Sequence, residues 1–232
     1  MRLLIANGYE LRVPELGCSG LPARTLGDRD AMIDMALRNV ERLDALDVEV
    51  DAYVGDVASC TGHVQRYAEM LGGDRLLGPT ARRVGSRTAV LSSFLASQGT
   101  TARLGTLRWT VTVDEPCSLP LDAESRSAAY RLLRAVPGLR LVPLTEAAMC
   151  CGGPGTYFRD QPERSAAVLA RKFEHVLATG AEVLVTENIS CLLQLRVGAR
   201  RYAPRLRVMH LAEVLLASVD AARRREAVVR QH

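Results

Sequence analysis

Short apolar runs alternate with longer segments of helical periodicity along this chain. Six short runs predict strands, over residues 9–14, 51–57, 107–113, 139–144, 182–187 and 206–210. Apolar residues recur every three or four positions over 29–46 and over 162–180, which predicts two long amphipathic helices, the second ending at Gly180. Strands that alternate with helices in this way form right-handed crossovers and parallel sheets, so the pattern predicts an α/β fold.

The cysteines indicate that one α/β unit occurs twice. The sequence Cys-Ser-Gly at Cys18 is followed by a long helix, an apolar strand and Cys60, and the sequence Cys-Cys-Gly at Cys150 is followed by the same elements and Cys191. The two spacings are 42 and 41 positions, an agreement that chance rarely produces. We therefore interpret the chain as two pseudo-repeated α/β units with small parallel sheets.

The repeat sets the predicted domain boundaries. A first unit with its linker is expected over 1–100, a second unit over 101–220 and a basic tail over 221–232. The second unit has an earlier cysteine, Cys117, 33 positions before its Cys-Cys-Gly sequence, whereas the same shift in the first unit falls before the start of the chain. The first unit is thus expected to be truncated at its N-terminus, without an opening strand or a cysteine on it.

Composition narrows the class of protein. A chain of 232 residues that is 48% hydrophobic can bury a substantial core. Its apolar runs fall short of a membrane span and its start lacks the order of a signal peptide, so we place the protein in the cytoplasm. A net charge of only +4 and an aromatic content of 4% argue against a nucleic-acid partner. In a reducing compartment, a group of cysteines indicates metal binding or redox chemistry rather than disulfides.

The second unit has four cysteines at the ends of predicted strands: Cys117, Cys150, Cys151 and Cys191. The carboxyl ends of parallel strands meet at one edge of a sheet, where ligands bind. Four thiolates suit a 4Fe–4S cluster, and they also satisfy tetrahedral zinc. Gly152 and Gly153 would let the backbone approach such a group closely. The competing interpretation is that the cysteines are buried core residues, but their place at repeat-matched strand ends favours metal.

The first unit offers a poorer set of ligands. Cys18 and Cys60 are candidates, but Ser19 stands where the second unit has a second adjacent cysteine. His63 follows Cys60 at a spacing that could serve a metal, although a place on the helix surface is the favoured interpretation. His210 is expected to cap or pack at the start of the last helix.

Taken together, these residues resemble the tandem cysteine-rich CCG domain that occurs in heterodisulfide reductases, in the iron–sulfur protein of glycolate oxidase and in the lactate-utilisation iron–sulfur protein. The resemblance spans about residues 2–218 and is closest to the glycolate and lactate proteins, in the phrases NGYELRVP, CCGGPGTYF and RVMHLAEVLL. It implies an electron-transfer subunit without a catalytic site of its own, which holds one 4Fe–4S cluster on the four cysteines of the second unit. Cys18 and Cys60 are further ligand candidates by the same resemblance.

The resemblance also implies partners. One is a flavin-containing 2-hydroxyacid dehydrogenase, and the other is a ferredoxin-type iron–sulfur subunit, because this chain has no Cys-x-x-Cys-x-x-Cys run of its own. The chain also lacks a Gly-rich dinucleotide fingerprint and an obvious acid–base pair for hydroxyacid oxidation.

Two alternative functions stay open. One is a thiol–disulfide reductase like heterodisulfide reductase, which Gln194 disfavours because it replaces the last cysteine of the family's closing Cys-x-x-Cys. The other is a scaffold subunit that binds zinc or no metal at all.

Overall fold

The structure is a computed structural model that describes residues 1–46, 50–71, 73, 76–119 and 122–229. The chain divides into two compact units, which we call the N-terminal unit (Arg12–Phe94) and the C-terminal unit (Met1–Leu11 together with the described residues from Leu95 onward). The repeat boundaries expected from the sequence stay a prediction.

Helices and strands alternate along the described residues. The strands are β1 (Tyr53–Gly55), β2 (Thr88–Val90), β3 (Thr110–Val113), β4 (Arg140–Leu141), β5 (Val183–Thr186) and β6 (Arg207–His210). The helices are α1 (Arg2–Ala6), α2 (Leu21–Thr25), α3 (Arg29–Asp44), α4 (Ala58–Gln65), α5 (Tyr67–Leu71), α6 (Gly78–Arg87), α7 (Leu91–Gln98), α8 (Ala123–Arg134), α9 (Tyr157–Asp160), α10 (Pro162–Ala178), α11 (Ile189–Tyr202) and α12 (Leu211–Val229).

The strand predicted over 9–14 is wrong, whereas the other five predicted strands are confirmed in shorter form. Residues 9–14 lie outside any helix or strand, and Val13, one of their apolar side chains, is 70% exposed. Pro14 has no N–H to give to a ladder, so this run has little reason to join a sheet. The sequence also missed β2, because a three-residue strand directly before a helix leaves too short an apolar pattern to recognise.

Residues 221–229 of the predicted basic tail continue α12, and residues 230–232 lie outside the described part of the chain. His210 fulfils its predicted role at the start of this helix, since its Nδ1 accepts a hydrogen bond from the Ala212 N–H at 3.1 Å. None of the helices in the described ranges is long and apolar enough to cross a membrane.

The C-terminal unit is built on a four-stranded parallel sheet in the order β4-β3-β5-β6. Every residue of β5 is buried, which explains why its sequence Val-Leu-Val-Thr shows no polar alternation. The chain moves from β3 to one side of the sheet to make β4, and it then returns to the other side to make β5 and β6. Such a sheet has a topological switch point between β3 and β5, and a crevice opens there at the carboxyl ends of the two strands.

The N-terminal unit repeats part of this plan. Its described strands, β1 and β2, form a two-stranded parallel sheet, and by their place in the repeat they match β5 and β6. Asp28 caps α3 by accepting a hydrogen bond from the Ala31 N–H at 3.0 Å. Among the residues described in this unit, no strands occupy the places of β3 and β4.

The helices α10 and α11 pack closely against each other in the C-terminal unit. The ring of Phe173 on α10 is 1% exposed and lies against Gly198 on α11. A Cβ at position 198 would stand 2.1 Å from a ring carbon of Phe173, so only glycine allows this approach.

We expect Gly198→Val to destabilise the protein by about 1–3 kcal/mol, because the added side chain has to displace Phe173. Denaturant unfolding of the metal-free protein measures this difference. Arg200→Val is the matched control, since it places valine at an exposed position of the same helix. Equal stability of the Gly198 variant and the control would contradict the close packing.

Candidate metal centre

The four cysteines of the C-terminal unit lie at the switch-point crevice. Cys117 follows β3, and Cys191 lies in the first turn of α11, directly after β5. Glu115 fixes the segment that leads to Cys117, because its carboxylate accepts hydrogen bonds from Arg126 at 3.0 Å and from the Tyr130 hydroxyl at 2.9 Å. The sheet topology therefore brings two cysteines together that are 74 positions apart in the sequence.

The loop after β4 adds the adjacent pair, Cys150 and Cys151. The Glu115 N–H donates to the Ala147 carbonyl at 3.1 Å, which ties this loop to the end of β3. Gly152 has a φ of +82°, and a Cβ there would lie 2.6 Å from a backbone oxygen of α10. A Cβ at Gly153 would lie 2.7 Å from the side chain of Gln194 on α11. The glycines are thus required by the close approach of the loop to both helices.

The four thiols are in hydrogen-bond contact in series. Cys150 neighbours both Cys117 and Cys151, and Cys151 also neighbours Cys191. Cys151 and Cys191 are buried, Cys150 is half-buried and Cys117 is exposed, so one end of the series opens to solvent. The structure brings these four side chains together, and their role as metal ligands stays a prediction.

Contacts among the sulfurs shift the thiol pKa values in opposite directions, down for Cys150 and Cys191 and up for Cys117 and Cys151. Hydrogen bonds from Cys117 and Cys151 lower the pKa of Cys150 to about 2, and a backbone N–H, that of Gly152, adds a contact to its Sγ at 3.3 Å. The Cys151 thiol lowers the pKa of Cys191, whose Sγ also accepts from the Asn188 amide at 3.4 Å. The pKa values of Cys117 and Cys151 are raised, in both cases chiefly because their protons bind Cys150.

The donor set is four sulfur atoms. Soft thiolates of this kind suit an iron–sulfur cluster, and they also satisfy tetrahedral zinc. Among the described residues, no group of three or more His, Cys, Asp or Glu side chains is already arranged around one point to hold a single ion.

A buried ion pair lies next to the cysteine loop, and the sequence analysis did not find it. The ammonium of Lys172 on α10 lies 2.7 Å from the Asp114 carboxylate, and the two side chains are 0% and 2% exposed. Burial raises the pKa of Asp114, while Lys172 and a 2.9 Å hydrogen bond from the Thr186 hydroxyl act against that rise. The sequence did contain a sign of this pair. Lys172 is the one lysine in a chain with 29 arginines, and it lies on the apolar face of its helix.

Gln194 stands where the CCG pattern that the sequence resembles has a cysteine, and its side chain makes a hydrogen bond that helps to hold the fold together. Its amide donates to the Ser165 hydroxyl at 3.1 Å, and that hydroxyl donates to the Gly152 carbonyl at 2.7 Å. This chain of hydrogen bonds joins α11, α10 and the loop of the adjacent cysteines. The position is therefore used to hold the loop.

The N-terminal unit places its candidates differently. Cys18 is exposed and Cys60 is half-buried, and the charges of both add to the rise in the pKa of Tyr67, to about 12, that burial mainly causes. The expected surface position of His63 is wrong, because this side chain is 2% exposed. Its pKa is lowered to about 4, first by burial and then by the charges of two arginines.

The segment that carries the four cysteines matches a known protein family. Residues 111–196, from β3 into α11, match the family described as "Cysteine-rich domain" (CCG). The chain is 29% identical over 224 residues to lactate utilization protein A of Exiguobacterium sp., which covers 96% of this chain and 91% of that protein. It is 30% identical over 217 residues to the uncharacterized protein YkgE of Escherichia coli, covering 92% and 89%. It is also 28% identical over 222 residues to the "Probable glycolate oxidase iron-sulfur subunit" of Bacillus subtilis, covering 93% of this chain and 49% of that protein.

We expect Ser165→Ala to destabilise the metal-free protein by about 1–3 kcal/mol, because the Gly152 carbonyl would stay buried without its partner. Ser127→Ala is the control, since the Ser127 hydroxyl only donates to a carbonyl one turn back in its own, partly exposed helix. Thermal and denaturant unfolding compare the two variants. A loss no larger than that of the control would show that Ser165 does not hold the loop.

Proposed function

Because the chain belongs to the cysteine-rich CCG-domain family, we propose that it is an iron–sulfur electron-transfer subunit of a 2-hydroxyacid-oxidising system. The observation that supports this proposal most directly is the series of four thiols at the switch-point crevice. The relatives are named for lactate utilization and for glycolate oxidation. Lactate and glycolate are accordingly the proposed substrates of the system.

The proposed ligands of one 4Fe–4S cluster are the four thiolates of the C-terminal unit: Cys117, Cys150, Cys151 and Cys191. Such a cluster, when bound, accepts and releases single electrons. Gly152 and Gly153 let the loop lie close to the cluster, and the Gly152 N–H and the Asn188 amide already face ligand sulfurs. Cysteine binds metal as the thiolate, so cluster assembly should release protons from the thiols of the crevice. Zinc on the same thiolates is the alternative.

Cys18 and Cys60 are proposed as a weaker, second set of ligands. Ser19 is buried, and its carbonyl accepts a 2.8 Å hydrogen bond from the Tyr67 hydroxyl. A hydroxyl-bearing residue at this place is a poor substitute for a soft thiolate. We therefore assign the working cluster to the C-terminal unit.

The proposed partners are a flavin-containing dehydrogenase subunit, which oxidises the hydroxyacid, and a ferredoxin-type iron–sulfur subunit. A surface suited to such contact lies on α11, the helix that begins beside Cys191. Ile189, Leu193 and Val197 stand one turn apart on this helix and are 46%, 57% and 53% exposed. Six free thiols agree with the cytoplasm as the proposed compartment.

The reductase alternative is disfavoured by the contacts of Gln194, because a side chain that secures the loop through Ser165 replaces the cysteine that the family's larger cluster would use. The scaffold alternative is separated by colour, since zinc bound to thiolates is colourless and an iron–sulfur protein is brown.

We expect the protein purified without oxygen to contain about four irons and four sulfides per chain. Serine substitution of any C-terminal-unit ligand should remove most of this iron, because a hydroxyl binds iron weakly. The matched controls, Cys18→Ser and Cys60→Ser, should retain most of it. Zinc without sulfide in the wild-type protein would favour the scaffold, and equal losses in all six variants would refute the assignment to one unit.

We expect the purified chain alone not to oxidise lactate or glycolate, and to co-purify with a flavoprotein when both are expressed from neighbouring genes. Leu193→Asp should weaken this association at least tenfold without loss of iron, because a carboxylate interrupts the apolar row on α11. Leu177→Asp, at an equally exposed leucine of α10, is the control. Dye reduction by the flavin-free chain would contradict the partnership, and equal binding by both variants would contradict the contact on α11.

A further inference from the structure

The ammonium of Lys172 has no access to water, and each of its three protons has an acceptor. It lies 2.7 Å from the Asp114 carboxylate, 2.7 Å from the Ala147 carbonyl and 3.1 Å from the Met149 carbonyl. These acceptors belong to the end of β3 and to the loop that leads to the adjacent cysteines. One side chain of α10 therefore fixes the backbone immediately before Cys150.

Stability alone does not explain a lysine at this position. Removing an ammonium and a carboxylate from water costs several kcal/mol each, and a well-packed apolar pair is often at least as stable. Arginine, which this chain uses at 29 positions, presents a flat fork of donors rather than three protons around one nitrogen. The position therefore combines a compact positive charge with three directed hydrogen bonds.

The N-terminal unit supplies an internal comparison. The buried residues of α3 are Met32, Ala36, Asn39, Val40 and Leu43, and those of α10 have the same spacing at Ser165, Leu169, Lys172, Phe173 and Val176. Asn39 thus occupies the position of Lys172. Its side chain accepts from the Gly17 N–H at 3.1 Å and donates to the Cys18 carbonyl at 2.9 Å, so it also holds a cysteine loop.

The two units therefore share a polar side chain that positions the cysteine loop, but they differ in its charge. The neutral side chain serves the unit with the poorer ligand set, and the cation serves the unit with four thiols. Adding an electron to a cluster adds negative charge, which a nearby buried cation stabilises because the surrounding dielectric constant is low.

We propose that Lys172 is a positioning residue of the metal centre, one that orders the loop of Cys150 and Cys151 and, by its charge, raises the reduction potential of the bound cluster. Asp114 opposes the charge effect while it orients the ammonium. The part that concerns potential rests on the function proposed above, whereas the ordering of the loop does not depend on it.

The first experiment uses the metal-free protein. Lys172→Met should increase amide hydrogen exchange in residues 147–153 at least tenfold, because the loop carbonyls lose their shared donor. Arg171→Met is the matched control, since it removes a neighbouring cation whose bonds to Glu146, at 2.8 and 2.9 Å, are exposed to solvent. That control should change exchange less than twofold, and an equal response of the two variants would overturn the positioning role.

The second experiment titrates the reconstituted cluster by electron paramagnetic resonance. At fixed ambient potential, Lys172→Met should lower the ratio of reduced to oxidised cluster about tenfold, which corresponds to about 59 mV for one electron. Asp114→Asn should raise this ratio, because the ammonium then lacks its counter-charge, and Arg171→Met should leave it within twofold.

The opposite signs of the two buried variants separate a charge effect from general loosening. A shift in the same direction for both, or no shift for either, would overturn the charge effect. If Lys172→Met does not fold, Lys172→Gln takes its place, because it keeps a hydrogen-bond donor and removes the charge, and its ratio must fall. Wild-type protein that binds no iron would refute the proposed function, and the exchange measurement would still decide whether Lys172 orders the loop.

Discussion

An ammonium group without access to water needs an acceptor for each of its protons. In this protein the acceptors of the Lys172 ammonium are groups of the candidate metal centre, which it thereby holds in place. Lys172 joins the buried face of α10 to the end of β3 and to the loop that precedes Cys150. Thr186, at the end of β5, holds the other oxygen of the same Asp114 carboxylate. The two central strands and the loop thus share one buried polar network, which is satisfied at every member described and so can order its surroundings.

The sheet provides the crevice in which this network lies. Its strand order reverses direction between β3 and β5, so loops from both halves of the sheet meet at one edge. Glycines then permit the contacts that a side chain would block, at Gly152 and Gly153 against the two covering helices and at Gly198 against Phe173. The close approach of the backbone to these helices helps to position the loop of the adjacent cysteines.

The two units show how one repeated plan can support sites of different quality. Both have a long helix with the same spacing of buried residues, and both use a polar residue of that helix to hold a cysteine loop. Compared with the described residues of the N-terminal unit, the C-terminal unit has two more strands, a third cysteine-bearing segment and a buried cation. The N-terminal unit has a serine, a neutral asparagine and a buried histidine in the corresponding region.

The sequence by itself determined the fold class, because that depends on local periodicity, and it predicted the repeat and the four candidate ligands from spacings within one chain. Five strands and both long helices follow from apolar patterns, whereas the isolated run at 9–14 misled, since its apolar residues have no sheet to join. Only the tertiary structure decided that the thiols form a series, that Gln194 secures a loop through Ser165, and that Lys172 and Asp114 meet beneath them. Those contacts join residues up to 58 positions apart, between Asp114 and Lys172, and they depend on strand order and helix approach, which no local pattern records.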